Sequence, residues 1–341
     1  MSVAALFDQS DRIFNSDGLQ TYPLLTIRIA GCKIILQFAS ERAAQVMGAT
    51  FRHLEFADPG EPDIIVRVWD SVASGMQQPE LALPASKTGA AHFTGAAQCI
   101  VDLETGRIEA FDSRRRLGLL FVPDLAAIDP GYAAAPLCSL LHWWAIDHGW
   151  LLLHAGSVAS EDGAALLVGR GGSGKSTTVL ACVGSSLDIL SDDRCLYQPG
   201  EPPWVHSLFG SNRIDARAIS LMPHLAAAFS GAPLDPDGKS IINAGELFVG
   251  AQRLSAPLRA IIVPKIGSAS SCSAQQISAS DALKALAPST VFQLAGARAS
   301  ALAKMAALVR KLPCWNLSIG PDPTCAREPI SEIIRVSASM A

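Results

Sequence analysis

The sequence predicts an α/β fold, and three observations support that prediction. Short apolar runs of strand length lie at 164–168, 188–190 and 258–264. Helical patterns follow at 176–183 and 281–311. A glycine-rich turn joins the first apolar run directly to the helix behind it. Strands and helices that alternate in this way are typical of the α/β class.

The chain is long enough for two domains, since it has 341 residues. Its N-terminal part is dominated by strand candidates, which lie at 22–29, 32–38, 63–69 and, as a hairpin, 98–111. We therefore expect a β-rich N-terminal domain at 1–130 and a second domain at 131–341. The second domain would begin with an apolar helix at 136–150.

Charge and hydropathy narrow the class of partner. The net charge is −4 and no long basic block occurs, so nucleic acid is not an expected partner. Charged residues make up 17% of the chain and hydrophobic residues 49%, a balance that is compatible with a homo-oligomer. The most apolar stretch, 133–155, is interrupted by His142, Asp147 and His148, so we expect a buried helix and strand there instead of a membrane span.

The cysteines and the N-terminus indicate a cytoplasmic protein. The eight cysteines include no C-x-x-C pair, which makes a zinc site an unfavoured interpretation. Cys182 and Cys195 lie in the predicted second domain, where a reduced state is the simplest assumption. The first residues lack a basic segment followed by an apolar one, so no signal peptide is predicted.

A phosphate-binding motif follows the first apolar run. Gly169, Gly174, Lys175 and Ser176 fit the pattern G-x-x-x-x-G-K-[ST] at full spacing. The glycines let successive backbone N–H groups point inward toward phosphate oxygens. The lysine supplies a cation for the β- and γ-phosphates, and the serine hydroxyl is a ligand for Mg²⁺. The cofactor-binding residues predicted from this motif are Gly169, Gly171, Gly172, Ser173, Gly174, Lys175, Ser176 and Thr177.

Three further residues are predicted to lie beside this loop. His154 comes fifteen residues before Gly169, and Asp192 and Asp193 come seventeen and eighteen residues after Lys175. A helix, a turn and a strand fill the second interval, so the two carboxylates would stand at the carboxyl end of a strand, where ligands of α/β sheets bind. One carboxylate can hold Mg²⁺ and the other can accept a proton. The plainer interpretations are a strand-end turn and a core histidine.

These elements resemble the HPr serine kinase/phosphorylase superfamily. The resemblance rests on LLHAGSVASEDGAALLVGRGGSGKST and LDILSDDRCLY, and it covers about 135–200. It is closest to the HPr-kinase-like proteins found beside peptide-tailoring genes, including lasso-peptide kinases. The same order of elements recurs in the ATP-dependent phosphoenolpyruvate carboxykinases. The fold that the resemblance implies is an HPr-kinase/PEP-carboxykinase-like P-loop core preceded by a β-rich domain.

The resemblance implies ATP- and Mg²⁺-dependent phosphorylation of a serine or threonine hydroxyl on a peptide or protein. Lys175 and Ser176 would bind phosphate and Mg²⁺. Asp193 or Asp192 would be the base and metal partner, and His154 would lie near the γ-phosphate or the base. The chain departs from the bacterial HPr enzymes after residue 200, so neither phosphorylase activity nor HPr itself is implied. The catalytic residues expected are thus Asp193, Asp192, His154 and Lys175, with Ser176, Asp192 and Asp193 at the metal.

Several alternatives remain open on the sequence alone. The chain could bind nucleotide as a regulator without transfer, phosphorylate a small molecule, or act as a mechanical ATPase. Arg213, Arg217 and Lys239 are basic residues that could meet phosphate charge, although each also fits a solvated surface position. Arg213 is the favoured phosphate or acceptor contact. Arg170, inside the loop, is expected to face solvent.

Overall fold

The fold is mixed α/β and divides into two compact units, Met1–Asp147 and His148–Ala341. The computed structural model of the chain describes residues 2–15, 23–75, 78–79, 81, 89–95, 97–248, 250–267, 271–291 and 298–340. Tyr22, in the predicted first strand, lies outside these residues.

The first unit is built on one sheet. Its helices are α1 (Val3–Phe14), α2 (Glu41–Gly48), α3 (Ser71–Ser74), α4 (Pro130–Ala134) and α5 (Cys138–Asp147). Its strands are β1 (Leu24–Ile29), β2 (Cys32–Phe38), β3 (Ile64–Asp70), β4 (Ala90–Phe93), β5 (Gln98–Asp102), β6 (Ile108–Asp112) and β7 (Leu117–Val122), with 3₁₀ turns at Ala49–Leu54 and Leu125–Ala127.

The sheet has the order β1-β2-β3-β7-β6-β5-β4. β2, β3 and β7 are parallel, and the other neighbours are antiparallel. Helix α1 begins at an N-cap, Ser2, and packs Leu6, Phe7 and Phe14 against Trp69 in the core. The predicted hairpin at 98–111 is present as β5 and β6.

Helix α5 belongs to the first unit, which differs from the predicted boundary at 130/131. The boundary lies between Asp147 and His148. The buried Glu109 carboxylate on β6 accepts hydrogen bonds from the backbone N–H groups of Ser139 and Leu140 at 3.0 and 3.2 Å. A buried carboxylate at the first turn satisfies N–H groups that a helix leaves unpaired, so it joins α5 to the N-terminal sheet.

The second unit contains the phosphate-binding motif. Its strands are β8 (Leu151–Leu153), β9 (Gly156–Ser160), β10 (Gly163–Leu167), β11 (Asp188–Ser191), β12 (Cys195–Gln198), β13 (Trp204–Ser207), β14 (Ser211–Ile214), β15 (Ser240–Asn243), β16 (Ser255–Ile266), β17 (Ser273–Gln276) and β18 (Cys314–Ile319). Its helices are α6 (Lys175–Ala181), α7 (Ala216–Ser220), α8 (Ala244–Leu247), α9 (Ala279–Val291), α10 (Arg298–Lys311) and α11 (Arg327–Ser339), with 3₁₀ turns at Pro223–Phe229 and Pro323–Ala326.

A nine-stranded mixed sheet forms the centre of this unit. Its main path is β11-β9-β10-β16-β13-β12-β8, and the far end of β16 also pairs with β18, which pairs with β17. β10, β16 and β18 are parallel to one another. β9 runs antiparallel to both of its neighbours, β10 and β11. β14 and β15 form a separate hairpin.

Helices cover both faces of this sheet. Along β10, Ala165 and Leu167 pack into the cluster that contains α6 and α11, while Leu166 and Val168 pack into the cluster that contains α9 and α10. Successive side chains of a strand point to opposite faces, so a strand that is apolar at every position is buried on both. This explains the uninterrupted apolar run before the glycine-rich loop.

One disulfide was not predicted from the sequence. Cys272 is bonded to Cys325, which joins the segment before β17 to the 3₁₀ turn that precedes α11. Cys182 and Cys195 are buried and take no part in it. The described helices include none that combines the length and the apolar character needed to cross a bilayer.

Candidate active site

The glycine-rich loop joins β10 to α6, and its backbone conformation depends on two glycines. Gly169 has φ +154°, and a Cβ there would lie 2.5 Å from Ser173 Oγ. Gly174 has φ +99°, and its Cβ would lie 3.0 Å from Ile266. Both φ values fall in the region that residues with a side chain rarely adopt. The two outer glycines of the motif are therefore required by the local geometry of this loop.

Lys175 and Ser176 open helix α6 directly after the loop. The Lys175 ammonium donates hydrogen bonds to the carbonyl oxygens of Gly169 and Arg170 at 2.8 and 3.2 Å. Burial lowers the pKa of Lys175, while Asp193 and Asp192 act in the opposite direction. The lysine is thus folded back over its own loop, next to the backbone that would surround an anion.

Strand direction brings His154 to the same edge of the sheet. β9 is antiparallel to β10 and β11, so its beginning meets their ends. His154 stands just before β9, and Asp193 stands just after β11. The backbone N–H of His154 donates to Thr290 Oγ1 on α9 at 3.2 Å, which fixes this turn against the helix.

Asp193 lies between two basic side chains. His154 Nε2 is 3.3 Å from one carboxylate oxygen and Arg194 Nε is 3.4 Å from the other. Burial alone would raise the pKa of Asp193, but Arg194, His154, Arg213 and Lys175 together outweigh it, and the net pKa lies below the ordinary value. A quarter of the Asp193 side chain is exposed, so an ionised carboxylate faces the cavity.

Asp192 has the opposite environment. It is 2% exposed, and burial raises its pKa to about 6, although hydrogen bonds from the Arg213 backbone and Ser176 lower it. Its Oδ2 atom accepts the Arg213 N–H at 2.9 Å. Its Oδ1 atom is buried and accepts no hydrogen bond from any residue that the structure describes. The adjacent carboxylates therefore have pKa values displaced in opposite directions.

The β14–β15 hairpin supplies a further cation. Arg213 on β14 donates from Nε to Asp235 Oδ2 at 2.9 Å, and its NH2 group also contacts that oxygen. Asp237 is 3.7 Å from the same guanidinium. Because the Arg213 backbone also bonds Asp192, the hairpin and the end of β11 are held together.

These groups surround a cavity of about 600 Å³, a volume that suits a nucleotide-sized ligand. We call it the active-site cavity. The predicted site residues that line it are His154, Gly171, Gly172, Gly174, Lys175, Ser176, Thr177, Asp193 and Arg213. Gly169, Ser173 and Asp192 are not on its wall. Arg170 also lines it but is exposed, and Arg217, on α7, does not line it.

The residues present suit Mg²⁺. Within the described part of the chain, no cluster of three or more His, Cys, Asp or Glu side chains could form an all-protein metal site. Mg²⁺ is bound instead through one or two carboxylates together with waters and substrate phosphates. The Ser176 hydroxyl is close enough to Asp192 to lower its pKa, and Asp192 Oδ1 is a buried oxygen that accepts no hydrogen bond from a described residue. These oxygens are the hard ligands that Mg²⁺ prefers.

Three residues in or beside the cavity were missed or discounted at the sequence level. Lys239 lines the cavity, although the sequence favoured a solvated surface position for it. Asp235, which holds Arg213, had no sequence signal, because its partner lies 22 positions away. Arg194, beside Asp193, was inside the quoted motif but had no assigned role.

Comparison with protein-family models gives no match, and no curated protein matches the sequence. The arrangement of these side chains therefore carries the functional argument.

Proposed function

We propose that this chain is an ATP- and Mg²⁺-dependent phosphotransferase with an HPr-kinase-like P-loop core. The observation that supports the proposal is that Lys175, Ser176 and Asp193 line one cavity, with His154 Nε2 3.3 Å from the Asp193 carboxylate. A loop that cradles phosphate needs only a lysine, a hydroxyl and one metal partner to bind nucleotide. An additional ionised carboxylate that faces the same cavity supports transfer to an acceptor.

The binding roles follow from the contacts. The N–H groups of the glycine-rich loop and the Lys175 ammonium would hold the β- and γ-phosphates, once that ammonium leaves the carbonyls it now contacts. Ser176 and Asp192 would hold Mg²⁺, with Asp193 as its second carboxylate. The metal would neutralise charge on the phosphate oxygens.

In the transfer step, Asp193 would act as the base for the acceptor hydroxyl. The acceptor hydroxyl oxygen attacks the γ-phosphorus, the bond from that phosphorus to the β-phosphate oxygen breaks, and ADP leaves. Asp193 accepts the hydroxyl proton, and His154 keeps the carboxylate oriented. The low pKa of Asp193 makes it a weak base, which suits phosphoryl transfer because positioning and charge stabilisation contribute most of the catalysis.

The acceptor class rests on the resemblance. We propose a serine or threonine hydroxyl on a peptide or protein, with a precursor peptide as the acceptor to be tested first. Arg213 would meet charge on the transferring phosphate or on the acceptor, since it lines the cavity and its backbone is tied to Asp192.

The test combines binding with turnover. Calorimetry should show binding of the β,γ-imido analogue of ATP with Mg²⁺ to the wild type and to Lys284→Ala, a control at an exposed lysine outside the cavity. Lys175→Ala should lose that binding. Radiolabelled ATP should then transfer phosphate to an acceptor mixture, with little hydrolysis in its absence. Brisk hydrolysis without acceptor would instead identify an ATPase, and binding without either reaction would identify a regulator.

A further inference from the structure

A tight turn carries two cations toward the active-site cavity. We call residues 235–239 the Asp235 turn. A bridge between Leu234 and Ser240 closes it at the base of the β14–β15 hairpin. The Asp235 N–H donates to the Lys239 carbonyl at 2.9 Å, and Asp235 Oδ1 accepts the Lys239 N–H at 2.8 Å. The buried Asp235 carboxylate therefore fixes the backbone position of Lys239.

The same carboxylate fixes Arg213. Asp235 Oδ1 serves the turn, and Oδ2 accepts from Nε and NH2 of the guanidinium. The Asp235 side chain is fully buried, whereas a quarter of the Arg213 side chain is exposed along the cavity wall. Only one edge of the planar Arg213 guanidinium bonds Asp235. Its remaining N–H groups can therefore donate hydrogen bonds to another anion.

Lys239 has no such partner. Among the residues that the structure describes, no carboxylate forms an ion pair with its ammonium, and its side chain lines the cavity. Burial lowers the pKa of Lys175, and the positive charge of Lys239 lowers it further. Both lysines line the cavity and repel each other, and a bound polyanion would relieve that repulsion.

We propose that Lys239 and Arg213 form a γ-phosphate clamp, and that Asp235 is the positioning residue that holds both. This inference rests on the proposed function, since the ligand is a nucleoside triphosphate in the glycine-rich loop. Lys175 and the loop backbone contact the β-phosphate, which ATP and ADP share. The clamp contacts the terminal phosphate, which only the triphosphate has. The clamp therefore makes the site prefer the triphosphate over ADP, the product that must leave.

The test compares two nucleotides. Calorimetry with Mg²⁺ measures the dissociation constants of ADP and of the β,γ-imido analogue of ATP. We expect Lys239→Ala to weaken the triphosphate analogue about 10- to 100-fold, as for the loss of a hydrogen bond to a charged group, and to leave ADP unchanged. Asp235→Asn should produce the same selective loss. Lys284→Ala is the control, because Lys284 is an exposed lysine that does not line the cavity.

The outcomes separate this inference from the proposed function. If neither nucleotide binds the wild type, the proposed function fails. If the wild type binds both, and Lys239→Ala weakens both equally or neither, the clamp is wrong and the kinase proposal stands. An effect confined to the KM for the acceptor would likewise overturn the clamp. If Asp235→Asn unfolds the hairpin, the melting temperature of that variant will fall. The result for Lys239→Ala, which keeps the turn intact, then decides whether the clamp is correct.

Discussion

The Nε2 atom of His154 lies 3.3 Å from Oδ1 of Asp193, and this contact joins the start of one strand to the end of another. The preceding residue, Asp192, is buried and does not line the cavity. The neighbouring carboxylates consequently differ in ionisation, with the pKa of Asp193 lowered and that of Asp192 raised to about 6. Opposite displacements in adjacent groups indicate separate roles.

We predict that Asp193→Asn removes transfer and leaves nucleotide binding largely intact. Asparagine keeps the size of the side chain but has no charge to accept a proton or orient the hydroxyl. Loss of a general base typically lowers the rate 10²–10⁴-fold. Single-turnover transfer and the dissociation constant of ATP measure the two effects. Near-normal transfer in both Asp193→Asn and Asp192→Asn would make the carboxylate pair structural.

His154→Ala should lower turnover more than stability. The imidazole orients Asp193, and the turn itself is held by the His154 backbone N–H, which alanine retains. We expect a melting temperature close to that of the wild type and a clear loss of kcat. The control is His206→Ala, because His206 is a buried histidine that does not line the cavity. A collapsed melt with normal activity per folded molecule would identify His154 as a core residue.

Asp192 makes the stability of the nucleotide-free protein depend on pH. Its pKa rises from 3.8 in the unfolded chain to about 6 in the fold because of burial. The folded state therefore holds the proton more tightly, and stability falls as the pH rises from about 4 to about 6. At pH values above about 6, this difference in pKa lowers the free energy of unfolding by roughly 3 kcal/mol at most.

Asp192→Asn should remove that cost. Asparagine can still accept the Arg213 N–H, so the variant should be more stable than the wild type at pH 7.5 and equal to it near pH 4. Urea denaturation at several pH values, with a chelator present, gives both free energies of unfolding. A difference that is constant with pH would show that ionisation of Asp192 is not its source.

ATP with Mg²⁺ should stabilise the fold, and Mg²⁺ alone should not. A ligand at a hundred times its dissociation constant adds about 2.7 kcal/mol to the free energy of unfolding. Lys175→Ala should abolish the rise in melting temperature, because the ammonium lies against the loop carbonyls at the phosphate site. Lys284→Ala should behave as the wild type. A full shift in Lys175→Ala would exclude the loop as the phosphate cradle.

The strand–loop–helix order and the grouping of His154 with Asp193 could be predicted from sequence, because both depend on local pattern and strand direction. Because β9 is antiparallel to its neighbours, His154 and Asp193, which are 39 positions apart, lie 3.3 Å from each other. The apolar run at 164–168 also indicated the strand that leads into the glycine-rich loop, which is present as β10.

Contacts between distant polar residues could not be predicted. The glycines and prolines of 230–240 are typical of a loop, yet Asp235 bonds both the Lys239 backbone and Arg213 on β14. Helix α5 is joined to the first unit through the Glu109 carboxylate. Nothing in the sequence of the hairpin distinguishes Glu109 from any other polar residue of a strand. The Cys272–Cys325 disulfide joins two segments 53 positions apart, and no spacing pattern marks the pair.

The last prediction concerns the acceptor, a serine or threonine hydroxyl of a peptide. The core resembles enzymes that phosphorylate serine on a polypeptide, and the chain departs from the HPr enzymes after residue 200. The first unit also has a strand edge at β4, the last strand of its sheet, that can pair with an extended peptide. Such an edge can equally pair with another copy of the chain.

Purified protein should be incubated with ATP, Mg²⁺ and one acceptor at a time: a precursor peptide from the same gene neighbourhood, HPr protein, or free serine. Mass spectrometry locates the added phosphate, and Asp193→Asn is the matched inactive control. We expect phosphate on a serine or threonine of the peptide and none on HPr. Phosphate on free serine, with the peptide unmodified, would overturn the peptide acceptor and leave the kinase core intact, because the cavity residues act on the nucleotide and the hydroxyl alone.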